Sequence, residues 1–206
     1  QATQRPILRG YSGDRFLITS DNFELGDMSN STADHAVSME ISSAESIELI
    51  RGPETLVYGS NTVAGIINIL TPVNRQRKLD NPNYKLLMGH ESSNQSNLLS
   101  ANINIPLKSY QIFTNFSART SNDQSSPLGN LKNTALTKND FTFAITKFGQ
   151  KNFTTLQVKN FAMDYGIPGS PEGHIDGVDL KLKNLSQKLV YHSDINFSSL
   201  KFLELE

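Results

Sequence analysis

The chain has 206 residues, 37% of them hydrophobic, with 19 basic and 20 acidic residues, a formal charge of -1 and no cysteine. The missing cysteine excludes a disulfide framework and any thiolate ligand or nucleophile, and no Lys/Arg cluster is long enough to track phosphates, which excludes nucleic acid as a partner. No run approaches the roughly 18 apolar residues of a spanning helix, so a membrane could be crossed only by strands.

The chain opens on Gln1-Ala2-Thr3-Gln4, with neither a basic n-region nor an apolar h-region, so a secretory leader is expected to be absent or already removed. Further along, Arg51 to Leu70 reads as a compact knot. Gly52 suits an N-cap, Pro53 the first helical position, and Gly59 a left-handed C-terminal cap, giving a short helix of one to two turns. Ile66-Ile67-Asn68-Ile69-Leu70 then forms an extended run whose near-continuous apolarity suits a strand buried on both faces.

Organisation changes near residue 72. After Thr71-Pro72 comes a basic, Asn-rich connector over 73–83, and then period-2 segments separated by Ser, Asn and Gly. In 96–106, Leu99, Ala101, Ile103 and Ile105 share one face while Ser100, Asn102 and Asn104 share the other, which is too rich in amides for a packed core. Segments of the same kind occupy 84–92, 110–120, 140–148, 152–163, 180–193 and 200–206, about seven strands in all. Their lengths exceed the globular mode of about 5 to 6 residues and match tilted strands crossing an apolar layer of about 25 Å. Long polar connectors at 121–137 and 164–179 alternate with tight ones at 106–109 and 149–151, as in an outer-membrane barrel. A soluble β-sandwich is the alternative that periodicity leaves open.

Three stretches of the knot, Ser46-Ile47-Glu48-Leu49-Ile50-Arg51-Gly52-Pro53, Leu56-Val57-Tyr58-Gly59-Ser60 and Ala64-Gly65-Ile66-Ile67-Asn68-Ile69, resemble the end of the plug domain of TonB-dependent outer-membrane receptors. Arg5-Pro6-Ile7-Leu8-Arg9-Gly10 and Gly13-Asp14-Arg15-Phe16-Leu17-Ile18 resemble an earlier signature of the same plug. The resemblance covers residues 4–72 closely and the later strands by pattern. It implies a mainly β fold with a small α/β plug over 1–72, its N-terminal part missing, a connector over 73–83, and over 84–206 the first strands of a large transmembrane antiparallel β-barrel of roughly 22 strands. Arg51, Gly52, Pro53, Tyr58, Gly59, Gly65 and Asn68 carry the plug signature. Arg9 and Arg51 look like plug arginines that face acidic residues on the barrel's inner wall; solvated charges are the lesser reading of the bare residues. Asp21-Asn22 stands where relatives write Asp-Gly, and Asn tolerates the left-handed turn.

The resemblance further implies residence in the bacterial outer membrane, no catalysis and no intrinsic cofactor. The implied partners are a TonB-type energy-transducing protein, outer-membrane lipid, the remaining barrel strands of the same receptor, and a metal ion or metal chelate as cargo. Asp34-His35-Ala36-Val37 resembles the plug of zinc-uptake receptors, and Tyr165-Gly166-Ile167-Pro168-Gly169-Ser170 resembles the start of their His-rich outer loop, here reduced to His174 near Glu172, Asp176 and Asp179. An imidazole beside a carboxylate offers two of the four donors that Zn2+ requires, so Asp34 and His35, with His174 as a further candidate, point to zinc or another divalent metal. His90 and His192 lie on strands and read as interface or lumen residues. A ferric-siderophore or haem receptor is the nearest alternative, and a non-transporting surface barrel an alternative of another class. No G-x-S-x-G elbow, phosphate loop or H-E-x-x-H helix is present.

Overall fold

The computed structural model describes residues 7–8, 10–11, 15–26, 35–58, 62, 64–74, 77–171, 174–197 and 200–205. The N-terminal unit is a four-stranded sheet of β1 (Phe16–Ser20), β2 (Phe23–Glu24), β3 (Ser46–Ile50) and β4 (Gly65–Leu70), in the order β2-β1-β4-β3. The apolar run expected to be buried on both faces is the inner strand β4, parallel to β1 and antiparallel to β3. Its Ile66 and Ile69 are buried, and Ile69 joins Phe16, Ile18, Met39 and Ala64 in one small core.

Gly52–Tyr58 is helical, in the 3-10 form. Gly52, expected as an ordinary N-cap, instead turns the chain out of β3 with φ +78°, a left-handed value that glycine adopts without penalty. Gly59 lies outside the described residues. The β1–β2 hairpin turns on two residues, Asp21 (φ 53°) and Asn22 (φ 68°). Two left-handed residues define the type I′ turn whose twist matches the flanking strands, so Asn in place of the usual Gly keeps the turn.

The second unit is one antiparallel sheet of β5 (Asn83–Glu91), β6 (Ser96–Leu107), β7 (Tyr110–Ser121), β10 (Leu136–Phe148), β11 (Asn152–Ile167), β12 (Val178–Phe197) and β13 (Leu200–Leu205), each strand paired with the next. A minor hairpin, β8 (Gln124–Ser126) and β9 (Gly129–Leu131), stands within the connector after β7.

Burial in the large sheet runs opposite to that of a sandwich. On β6 and β7 the polar Ser100, Asn102, Asn104, Asn115 and Ser117 are buried, while Leu99 and Phe116, with Phe141 and Phe143 of β10, stand exposed on the other face. The polar face packs on the small sheet. The apolar face forms a belt from the row of Tyr110, Lys147 and Tyr191 up to the row of Thr120, Thr137 and Lys181. Tyr110 to Thr120 is ten steps along β7, about 33 Å of strand and about 25 Å of height at a tilt near 40°. The molecule is thus mainly β: a small plug against one sector of a transmembrane barrel wall.

Candidate functional site

The knot is held by the side chains that tie it to the hairpin turn. Asn68 is fully buried, and its Oδ1 accepts from Thr19 Oγ1 (2.9 Å) and the Asn22 amide (3.0 Å), while its Nδ2 donates to Asn22 Oδ1 (2.7 Å). Tyr58 Oη donates to the same Asn22 oxygen at 3.4 Å. On the other side of the turn the Asp21 carboxylate accepts from the Thr71 amide (2.7 Å) and hydroxyl (2.8 Å). Burial pushes the Asp21 carboxyl above its ordinary value despite those two bonds. Two signature residues of the sequence, Asn68 and Tyr58, therefore meet at Asn22.

Three anchors fix the plug to the wall. The first is the turn over 40–43, where Glu40 accepts from the Ser42 amide (3.1 Å) and forms an ion pair with Lys138 of β10. Lys85 and Asn102 both donate to the Ser42 carbonyl, at 3.2 and 3.3 Å. Burial works against ionisation of Glu40, but the Lys138 charge and its hydrogen bond, with the Ser42 amide, outweigh it and hold the carboxyl below its usual range. The second anchor is the Ala36 amide, which donates to Tyr165 Oη (3.1 Å), with Ala36 packed on Phe161 and Met163. The third is the hairpin β1–β2: Lys188 donates to the Ser20 carbonyl (3.1 Å) and lies 3.3 Å from the Phe23 ring centre, while Asn184 donates to the Leu25 carbonyl (2.9 Å).

Of the residues singled out in the sequence, Arg9, Asp34 and Glu172 lie outside the described residues. Arg51 is exposed at the exit of β3, and Pro53 is exposed in the 3-10 turn. His35 is half-buried beside the Ala36 anchor, near the outer end of β11. His174 is exposed in the loop after β11, where its carbonyl accepts from Ser170 and Gly177; Asp176 and Asp179 are exposed as well. His90 points away from the plug and meets Asn97 at 2.9 Å. His192 is buried, stacked on Phe153 with ring centres 4.9 Å apart, and 3.4 Å from Asp194. Among the described residues no three His, Asp or Glu side chains converge as a metal site.

Sequence reasoning passed over Glu40, Lys138, Asn184 and Lys188. The signal for the wall residues was present, because they share the parity of the amide-rich face and so had to point at whatever that face covers.

Comparison with known proteins agrees with this geometry. Residues 1–66 match the family described as TonB-dependent Receptor Plug Domain. The vitamin B12 transporter BtuB of Vibrio vulnificus is 38% identical over 78 residues, 36% of this chain and 12% of that protein. Among solved structures, the copper transporter OprC superposes with a TM-score of 0.77 at 20% identity, covering 97% of this chain and 30% of the other. The FrpB iron transporter from Neisseria meningitidis gives 0.73 at 14% identity, covering 98% and 34%. At such identities the structural likeness speaks for the fold alone. The N-terminal part of the chain thus matches a TonB-dependent receptor plug domain, and the sheet around it has the fold of a receptor barrel wall. Its place is the bacterial outer membrane. The chain spans about a third of the solved receptors it resembles.

Proposed function

We propose that this chain is the plug and a wall sector of a TonB-dependent outer-membrane receptor that binds a scarce ligand at its outer face and imports it. The leading cargo is zinc or another divalent metal. The observation that carries the receptor reading is the seating of a plug-family unit on the polar face of a sheet whose other face is an apolar belt. A folded plug blocks passive flow, so energy must come from elsewhere; a TonB-type protein that pulls on the plug supplies it. Outer-membrane lipid covers the belt, and further strands of the same receptor close the barrel, offering acidic partners for Arg9 and Arg51.

The metal reading is supported by the position of His35, next to the Ala36–Tyr165 anchor toward the outer end of the wall, with Asp34 adjacent in sequence. In this reading Asp34 and His35 give one oxygen and one nitrogen donor, and His174 or strands beyond this sector complete about four ligands. Zinc titration of the full-length receptor beside its Asp34→Ala/His35→Ala variant tests it. Loss of two of about four ligands lowers affinity at least about tenfold while the plug stays folded. Affinity also declines in acid, because protons compete for the imidazole nitrogen that ligates. Equal affinities would remove zinc from this site and leave the receptor reading intact.

A further inference from the structure

At the outer end of the wall the strands are joined by three connectors, over 92–95, 122–135 and 168–177, and hydrogen bonds run from each to the next. On one side the Asn122 amide donates to the Asn94 carbonyl and the Ser125 amide to the Ser93 carbonyl, both at 2.9 Å, and Asn122 Nδ2 donates to Gln95 Oε1 at 3.0 Å. Asp123 then draws the two halves of the middle connector together. Its Oδ1 accepts from the Thr134 (2.8 Å) and Ala135 (3.0 Å) amides, and Thr134 Oγ1 accepts from the Gln124 amide at 2.8 Å.

On the other side the joint is Asn133, whose φ of +59° is one that Asn adopts more readily than most side chains. Its Nδ2 donates to the Ile167 carbonyl at 2.8 Å and to the Val178 carbonyl at 3.1 Å, the paired residues where β11 ends and β12 begins. Both N–H groups of the carboxamide are thereby engaged. The Gly166 amide returns a bond to the Ala135 carbonyl at 3.1 Å. The fit leaves no room for a larger residue: a Cβ on Gly166 or on Gly177 would lie 2.5 Å from a carboxamide atom of Asn133. Gly177 also donates its amide to the His174 carbonyl (3.1 Å), which links this joint to the loop that carries His174. One solvated hydrogen bond orders a loop weakly, but bonds that share residues in a chain reinforce one another.

We propose that Asn133 is a positioning residue that joins the three connectors into one rim, so that a ligand captured by the loop carrying His174 orders the connectors over 122–135 and 92–95 as well. The rim stands on the hydrogen bonds alone; the statement about a ligand rests on the import reading above. A rim ordered before capture loses less conformational entropy on binding than three independent loops do. The coupling is reciprocal, so loosening either joint loosens the other.

Hydrogen exchange of the full-length receptor tests this in wild type, Asn133→Gly and Asp123→Ala. Glycine keeps the left-handed backbone and removes only the carboxamide. In Asn133→Gly, exchange at Gly166 and Gly177 is expected to rise at least about tenfold, because two hydrogen bonds are lost. The distinguishing readout is at Asn122 and Ser125, whose amides bond to the connector over 92–95 and not to Asn133. Their exchange is expected to rise about threefold or more, and in Asp123→Ala that of Gly177 rises in turn. Heat-modifiable migration confirms folding, and Asp123→Ala carries the test if Asn133→Gly misfolds. A response confined to Gly166 and Gly177, or an unchanged Gly177 in Asp123→Ala, shows independent connectors and overturns the rim. With zinc chloride as the probe, wild type is expected to gain protection at Gly177 and Ser125 together, and Asn133→Gly at Gly177 alone. Protection of Gly177 alone in wild type overturns the transmission. Protection of neither removes His174 from the metal reading and the transmission with it, while the comparison without zinc still decides the rim.

Discussion

At the scale of single residues, two buried plug carboxyls behave oppositely because of what faces them. Around Asp21 desolvation prevails over the two Thr71 hydrogen bonds and over the charges of Lys188 and Lys159, so its carboxyl titrates above the reference value of 3.8. Glu40 is opposed by burial too, but Lys138 and the Ser42 amide prevail and it titrates below 4.5. The consequences for plug stability have opposite signs. The contribution of Asp21 is fully present below its unfolded value and is lost as pH rises through the folded one. That of Glu40 is present above its unfolded value and is lost as pH falls through the folded one. Glu40→Gln, which breaks a buried pair and strands Lys138, is expected to destabilise plug docking by about 3 kcal/mol at neutral pH. The gap to wild type should close in acid, and Asp21→Asn should instead gain on wild type as pH rises. Denaturant midpoints of the full-length receptors from pH 3 to 7 check this; a gap for Glu40→Gln that is independent of pH would contradict it.

At the scale of elements, the knot is governed by glycines whose constraints differ. A Cβ on Gly65 would lie 2.8 Å from the Ile50 carbonyl oxygen, and its φ is +123°; at Gly52 the φ is +78° but the space is open. Gly65→Ala is therefore expected to cost more than about 2 kcal/mol, clash added to strain, and Gly52→Ala about 1 kcal/mol. Hydrogen exchange of the β3–β4 pair in the full-length receptor gives the ranking, and equal effects would show that the close approach to Ile50 has no consequence. Both glycines are visible in the sequence, but their roles are not, since a φ value depends on where the chain goes next. The wall strands were more legible, because alternation survives wherever one face meets lipid. It failed at the ends: β12 runs over Val178–Phe197, beyond the expected 180–193, and β8 and β9 were missed. Outside the apolar layer both faces are polar and the period carries no contrast. Nor could Glu40 and Lys138, or Ala36 and Tyr165, be paired in advance, since such contacts depend on how the plug sits in the wall.

At the scale of the whole molecule, the seven-stranded sheet is open at β5 and at β13. In an edge strand half the residues turn both backbone groups outward, so β5, with nine residues, leaves roughly nine N–H and C=O groups without a partner in its sheet. In hydrocarbon each such group costs several kcal/mol, tens in all for one edge, against a total stability of about 5–15 kcal/mol for an ordinary domain. The far side of the plug is equally uncovered: Ile47 and Leu56 are 56% and 74% exposed. A polypeptide of residues 1–206 alone is therefore expected not to insert as a stable monomer, and instead to aggregate or to pair its edges with those of other copies. Reconstitution in lipid, read by heat-modifiable migration and by cross-linking, distinguishes the outcomes. A membrane-embedded, heat-modifiable monomer would mean that the sheet closes on itself. Seven strands would then enclose a lumen narrower than the eight-stranded barrels whose interiors side chains already fill. Such a barrel could not keep the Ala36–Tyr165, Glu40–Lys138 and Lys188–Ser20 anchors. Carbodiimide cross-linking of the Glu40–Lys138 ion pair in the full-length receptor but not in that monomer would identify the monomer as a different fold from the plug and wall described above.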